Sequence, residues 1–256
     1  MAVNPDILRL FDTISLDEMG KVRLMNRIDT KFVTTPDLLE DLLRMAASDY
    51  LVQQIDGEVD MPYFTRYYDT ADTDMFYQHQ RGKKSRQKIR VRKYEQSDTP
   101  PFIEIKSKNN KGRSKKKRVE MNRGDSPENY SDFLERHALY EAEQLNPRLE
   151  NHFYRITLVD KARTERVTID TNLEFHNLVT GRKAALPQIV IIEWKRDGRL
   201  CKSGLNDILR RLRIHPTGFS KYCIGMAITD SDLKQNRLKK KIRRIERIGG
   251  RTLSEL

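Results

Sequence analysis

Hydrophobic and polar positions along this chain alternate in short runs, interrupted by a few segments with helical spacing. Over 25–34, Arg27, Asp29 and Lys31 fall on one side and Ile28 and Phe32 on the other, which predicts a strand. Pro36 then opens a stretch in which Leu38, Leu39, Leu42, Leu43 and Ala46 form a helical stripe. Further strands are expected at about 49–55, 62–69, 86–95, 101–108, 116–122, 151–161, 165–171 and 187–196. Asn109, Asn110 and Gly112 mark a tight connection between two of them. Helices are expected over 1–24, where Ser15 and Glu18 make a capping-box pattern ahead of Leu16, and over 72–80, 126–148, 202–213 and 231–247. Residues 171–182 read as irregular or partly extended. The expected fold class is α+β: one domain rich in antiparallel strands, with helices around and after it.

The polar faces of these strands carry charge. Arg86, Lys88, Arg90 and Arg92 share one face, as do Glu104, Lys106 and Lys108, with Ile103 and Ile105 opposite. Arg155 pairs in phase with Thr157, Arg166 with Thr168 and Asp170, and Glu193 with Lys195. For one strand this is the solvated face of an ordinary sheet. Repeated across many strands, it fits a barrel whose apolar outer face is covered by helices and whose charged faces converge on a lumen. Such a lumen is costly unless its charges are paired or an anion fills it. Arginine and lysine suit phosphate, and the interspersed Glu104, Asp170 and Glu193 suit a Mg²⁺- or Mn²⁺-type cation bound jointly with phosphate oxygens.

Composition narrows the partner. Of 256 residues, 34% are charged and the formal net charge is +12, which points to an anionic ligand. Cys201 and Cys223 are too few for a disulfide scaffold, no apolar run is long enough to span a bilayer, and the N-terminus lacks a signal-peptide pattern, so a cytoplasmic location is expected. Glycine-rich phosphate loops and zinc motifs are absent from the sequence. His79, in a helical segment, reads as a surface or capping residue.

An ordered series of short motifs carries a resemblance: RIDTKF at 27–32, YYDT at 67–70, KIRVRKY at 88–94, FIEIKSK at 102–108, KKRVEM at 116–121, YRI at 154–156, RVTIDTNL at 166–173, IIEWK at 191–195 and FSKYC at 219–223. In this order they resemble the triphosphate tunnel metalloenzymes, and within them the VTC domain, the polyphosphate polymerase domain of vacuolar transporter chaperone complexes and their bacterial relatives. The resemblance implies an antiparallel, roughly eight-stranded tunnel over 25–228, an N-terminal helical segment over 1–24 and a basic helix over 229–256. It carries the tunnel's catalytic basic positions onto Arg90, Arg92, Lys106, Arg155, Arg166 and Lys221. Substrate contacts fall on Lys31, Lys88, Lys117 and Ser220, and the metal carboxylate on Glu193.

The implied activity is metal-dependent transfer of the ATP γ-phosphoryl group to inorganic polyphosphate, with Mn²⁺ or Mg²⁺ as cofactor. Related triphosphatases and cyclases carry E-x-E-x-K on the first strand. Here R-x-D-x-K stands in its place (Arg27, Asp29, Lys31), which favours the VTC branch. Alternatives are a triphosphatase on the same fold and a non-catalytic binder of polyphosphate or nucleic acid. The lack of stacked aromatics on the basic strands argues against nucleic acid. In the last helix, Leu238, Ile242 and Ile245 make a narrow apolar stripe among basic residues. This helix is expected to pack on the barrel, to guide a polyphosphate product or to dock on an anionic membrane, and a membrane-protein partner is open to the chain as a whole.

Overall fold

The computed structural model describes residues 3–20, 27–95, 98–110, 114–198 and 203–253. Alternation produces the expected curled sheet. Its main path is antiparallel and runs β2 (Arg27–Thr34), β11 (Val190–Asp197), β9 (Glu165–Asn177), β8 (Asn146–Asp160), β4 (Met61–Asp69), β5 (Arg86–Tyr94), β6 (Phe102–Lys108) and β7 (Ser114–Glu120). Three short strands extend it: β1 (Asp12–Ser15) pairs parallel with β3 (Tyr50–Gln54), β3 pairs with β8, and β10 (Lys183–Leu186) pairs with β9. Among the described residues β2 and β7 do not pair, so the tunnel is open along one seam. At that seam, Thr217 and Gly218 each donate a backbone N–H to the Lys31 carbonyl, at 2.9 and 3.3 Å. The β7 edge carries Lys115, Lys116, Lys117 and Arg118, and such a density of charge discourages pairing with another chain.

The outer apolar faces are covered as the alternation requires. Phe32, Ile156, Leu158, Val167, Ile169, Ile192 and Trp194 pack under α1 (Pro5–Leu8), α3 (Pro36–Ala46) and α6 (Gly204–Arg211). Ile89, Ile103 and Ile105 pack under α5 (Ser131–His137) and the end of α4 (Asp74–Gln80) nearest Met75. Burying this apolar surface is the main drive for folding.

Several sequence expectations need correction. Residues 1–24 are not one helix: α1 is followed by β1 and then by α2 (Leu16–Gly20), with residues 1, 2 and 21–24 outside the described set. The capping box itself forms, with Ser15 N–H donating to Glu18 Oε2 at 3.1 Å and Glu18 N–H to Ser15 Oγ at 3.3 Å. The expected helical stretch 126–148 is α5 between two 3-10 turns, and β8 already begins at Asn146. Strand β9 runs on to Asn177, so the stretch expected to be irregular or partly extended is extended over its first half. Its alternation is broken by a bulge: His152 pairs with Glu174 but Tyr154 with Thr171, and Asn172, at φ 48°, accommodates the extra residue.

One helix has no counterpart among the sequence expectations. Lys221–Thr229 forms α7, whose Tyr222, Cys223, Ile224 and Met226 are buried inside the curled sheet against Val33, Leu149, Phe153, Leu173, Phe175 and Ile191. It is apolar on nearly every side, so no amphipathic stripe announced it. The lumen is therefore divided. One half is packed by α7 and the other is lined by charge, and the β9 bulge marks the change from Asp170 to Leu173. The C-terminal basic helix is α8 (Lys239–Gly249), with Leu238 and Ile245 buried in the same cluster as α7.

Candidate active site

Cross-strand register brings the charges together. Lys88 sits opposite Lys106, Arg90 opposite Glu104, Arg155 opposite Asp170, and Lys31 opposite Glu193. Each of three inward carboxylates is held between cations from different elements. Glu104 on β6 accepts from Arg90 Nε at 2.8 Å and from Lys116 Nζ of β7 at 2.9 Å. Asp170 on β9 takes a two-point hydrogen bond from Arg155, at 2.6 and 2.8 Å, and a further one from Lys221. Glu193 on β11 accepts from Lys195 Nζ at 2.9 Å, with Lys31 Nζ at 3.9 Å. Burial pushes the Glu104 and Asp170 carboxyls up, but the neighbouring cations outweigh it and hold both well below the usual carboxylate range. Glu193 is held down in the same way by Lys31, Lys195 and Lys106. All three stay ionised and fix the positions of their cations.

Other cations have no carboxylate of their own. Arg92 lies with its guanidinium 5.5 Å from the Tyr63 ring centroid, and its buried Nε has no hydrogen-bond partner. Burial and the adjacent Arg90 lower its proton affinity. Lys88 donates to Ser220 Oγ at 2.8 Å, and burial drops its pKa to about 8. Lys106 is also lowered by burial, with Glu193 opposing and Lys31 reinforcing. Cations so crowded and desolvated are poised for an anion with several oxygens.

Helix α7 completes this surface. Ser220 is its N-cap and accepts from Cys223 N–H at 3.3 Å, so the helix presents its N-terminal end and Lys221 to the charged half of the lumen, an arrangement favourable to anions. The helix is tied down by Tyr222, whose hydroxyl donates to Asp69 Oδ2 at 2.6 Å. Asp69 also accepts from the Met75 and Phe76 N–H groups, each at 2.9 Å, which accounts for the YYDT motif as a junction between β4, α4 and α7. At Gly225 a Cβ would lie 2.5 Å from Phe175 Cδ1 and 2.6 Å from Leu149 Cδ2, so only glycine lets α7 seat this deeply.

Of the residues expected from sequence, Lys31, Lys88, Arg90, Arg92, Lys106, Arg155, Glu193, Ser220 and Lys221 converge here. Arg166 shares the inward face, but its guanidinium donates to the Met19 carbonyl of α2 at 2.9 Å, at one end of the lumen. Lys117 is misplaced: it pairs with Ile105, on the outer face, and Lys116, opposite Lys106, is the inward lysine. A run of three lysines hides its phase, which only the partner strand reveals. Lys195 also converges here, and its alternation with Glu193 is visible in the sequence.

Glu104 and Asp170, expected to suit a cation, are each saturated by two basic groups. Among the described residues no three His, Cys, Asp or Glu side chains are grouped to hold a metal. Glu193 is also flanked by two cations, but its Oε1 faces Lys31 Nζ only at 3.9 Å, so it is the least closely held of the three carboxylates and the one with an oxygen to offer a divalent cation arriving with phosphate.

A solved structure shares this architecture. An adenylyl cyclase candidate from Hippeastrum, with a dominant triphosphatase activity, matches with a TM-score of 0.51 at 12% identity, over 83% of this chain and 99% of that one. An adenylate cyclase candidate from Bacillus halodurans matches with a TM-score of 0.47 at 13% identity, over 77% of this chain and 96% of that one. No curated protein matches the sequence. The sequence pattern of the VTC domain matches residues 26–229, from the first charged strand to the end of α7. By that match, which spans most of its length, the chain belongs to the VTC domain family.

Proposed function

We propose that the protein is a polyphosphate polymerase that transfers the γ-phosphoryl group of ATP to the end of an inorganic polyphosphate chain. The observation that carries this reading is the set of inward cations without carboxylates, Lys88, Arg92 and Lys106, beside the clamped pairs Arg90–Glu104 and Arg155–Asp170. VTC membership and the R-x-D-x-K first strand support polymerisation over hydrolysis.

Arg92, Lys88 and Lys106 bind triphosphate oxygens, and Arg90, Arg155 and Lys221 hold the transferred group in line. A terminal phosphate oxygen of the acceptor attacks the γ-phosphorus, the bond from it to the β-bridging oxygen breaks, ADP leaves, and the chain is one phosphate longer. No protein nucleophile is needed, because phosphoryl transfer depends on positioning and charge stabilisation. Glu193 would hold a Mn²⁺ or Mg²⁺ ion arriving with the phosphates, which would supply positive charge to offset that of their oxygens. Lys31 and Lys195 keep Glu193 ionised and directed inward.

We place the enzyme in the cytoplasm, with ATP and polyphosphate as its partners and a membrane protein as an optional one. Among the described residues no helix is long and apolar enough to cross a membrane. Incubating pure protein with ATP and Mn²⁺ and resolving the products on a gel tests the proposal. A ladder of long polyphosphate is expected, and release of orthophosphate alone would establish a triphosphatase instead.

A further inference from the structure

Helix α8 lies outside the segment matched to the VTC domain, yet its Ile245 packs in the cluster around α7 and its Lys241, like Lys88, is among the cations acting on His79. Two contacts hold its leading segment to the end of α4: Gln80 Nε2 donates to the Lys234 carbonyl at 2.7 Å, and Arg237 donates to the Arg81 carbonyl at 2.9 Å. Leu238, Ile245 and Leu253 are buried beneath it. This fixes Lys241 so that its Nζ is 4.0 Å from where a Cβ on Gly218 would stand, and Gly218 is itself bonded to the Lys31 backbone.

His79 lies at the centre of this corner. It is half-buried in the last turn of α4, and its buried Nδ1 has no hydrogen-bond partner. Burial lowers its pKa to about 2, and the cations that add to this are Lys88, Arg86, Lys241 and Lys31. These groups come from β5, α8 and β2, and they are the largest charge effects on His79. The contrast with Glu104 and Asp170, each held between two cations, is what singles the corner out. Four cations around a neutral imidazole repel one another, and a chain of phosphates passing between them relieves that repulsion.

We propose that Lys241 and Arg86, with Lys88, Lys31 and His79 Nδ1, form a second anion position at the tunnel mouth that takes a phosphate of linear polyphosphate beyond the triphosphate site. This rests on the reading that the tunnel binds polyphosphate. It assigns α8 to holding the acceptor or product chain. His79, kept neutral, adds a ring nitrogen able to donate or accept a hydrogen bond there.

The test is binding by the full chain, with long-chain inorganic polyphosphate and tripolyphosphate as the two probes. Lys241→Ala and Arg86→Ala are each expected to weaken the long chain about tenfold and tripolyphosphate less than about twofold. Lys241→Arg should retain long-chain affinity, and Arg243→Ala, on the exposed side of α8, should change neither probe. Thermal unfolding of each variant confirms an intact fold. Equal losses for both probes, no loss for either, or an Arg243→Ala loss as large as that of Lys241→Ala would overturn the proposal. So would release from phosphatidylserine vesicles with long-chain binding untouched, which would make α8 a membrane-docking surface. Absence of polymer from ATP, with the selective loss intact, would overturn the polymerase reading and leave this position standing.

Discussion

Lys88 of β5 donates to Ser220 Oγ, the N-cap of α7, at 2.8 Å, so one hydroxyl joins a lumen cation to the helix that fills the other half of the tunnel. Ser220→Ala removes both this contact and the cap on Cys223 N–H. A stability loss of about 1 kcal/mol is expected from the cap. Triphosphate affinity should fall as well, because Lys88 loses its anchor. Denaturant unfolding and calorimetric titration with tripolyphosphate check the two effects.

The same lysine predicts a pH dependence. Its pKa falls from the usual 10.5 to about 8 in the folded protein, chiefly through burial. Below about pH 8 both folded and unfolded chains carry the proton, and the burial cost is fully present. Between about 8 and 10.5 the unfolded chain holds more protons, so this contribution makes stability rise with pH across that window. Triphosphate binding has the opposite sign, since it needs the charged amine. Affinity should fall above about pH 8 by up to about tenfold per unit. Lys88→Met should make both profiles shallower, while Lys195, also lowered to about 8 by burial, keeps part of the stability rise.

Arg92 and Arg90 are adjacent inward arginines with opposite expected behaviour. Arg90 is bonded to the buried Glu104, whose exposure is 3%, so Arg90→Ala leaves a buried carboxylate with one partner fewer and should destabilise by about 3 kcal/mol. Arg92 has no such partner and is crowded by Arg90 and Arg155. Arg92→Ala should change stability by less than about 1 kcal/mol while lowering turnover by at least about a hundredfold. Unfolding curves and rates of ATP consumption separate the two.

Asp170 neutralises Arg155 and Lys221 together. Asp170→Asn leaves both cations buried without a counter-charge and should cost about 3–5 kcal/mol. Added tripolyphosphate should restore part of the loss by binding only the folded form, seen as a rise in Tm larger than that of the parent protein.

Gly225→Ala tests the seating of α7. Its Cβ would meet Phe175 and Leu149 at 2.5 and 2.6 Å, and overpacking of this kind costs about 1–3 kcal/mol. Because Ser220 and Lys221 ride on the same helix, activity should drop further than stability alone explains. Turnover measured well below the unfolding temperature checks this.

The strands, their inward charges and most of the site were legible in the sequence because side-chain direction in a strand has a period of two. Arg90, Arg92, Lys106 and Arg155 could therefore be assigned a face from their neighbours alone. Lys117 failed where consecutive lysines carry no phase, and Lys116 emerged only from its pairing with Lys106. The β9 bulge at Asn172 failed for a related reason, since an inserted residue resets the alternation.

By itself, then, the sequence determined an α+β tunnel of alternating charged and apolar faces, with an anion as its natural occupant. Tertiary structure decided which charges are spoken for and which are available. Glu104 and Asp170 are closed by cations from strands distant in sequence, and Arg92 is left open. It also decided that α7 fills half the lumen, because an apolar segment shows no period until the surface that buries it is present. The physical reason is the same in each case: periodicity is local to one element, whereas pairing and burial belong to what that element meets.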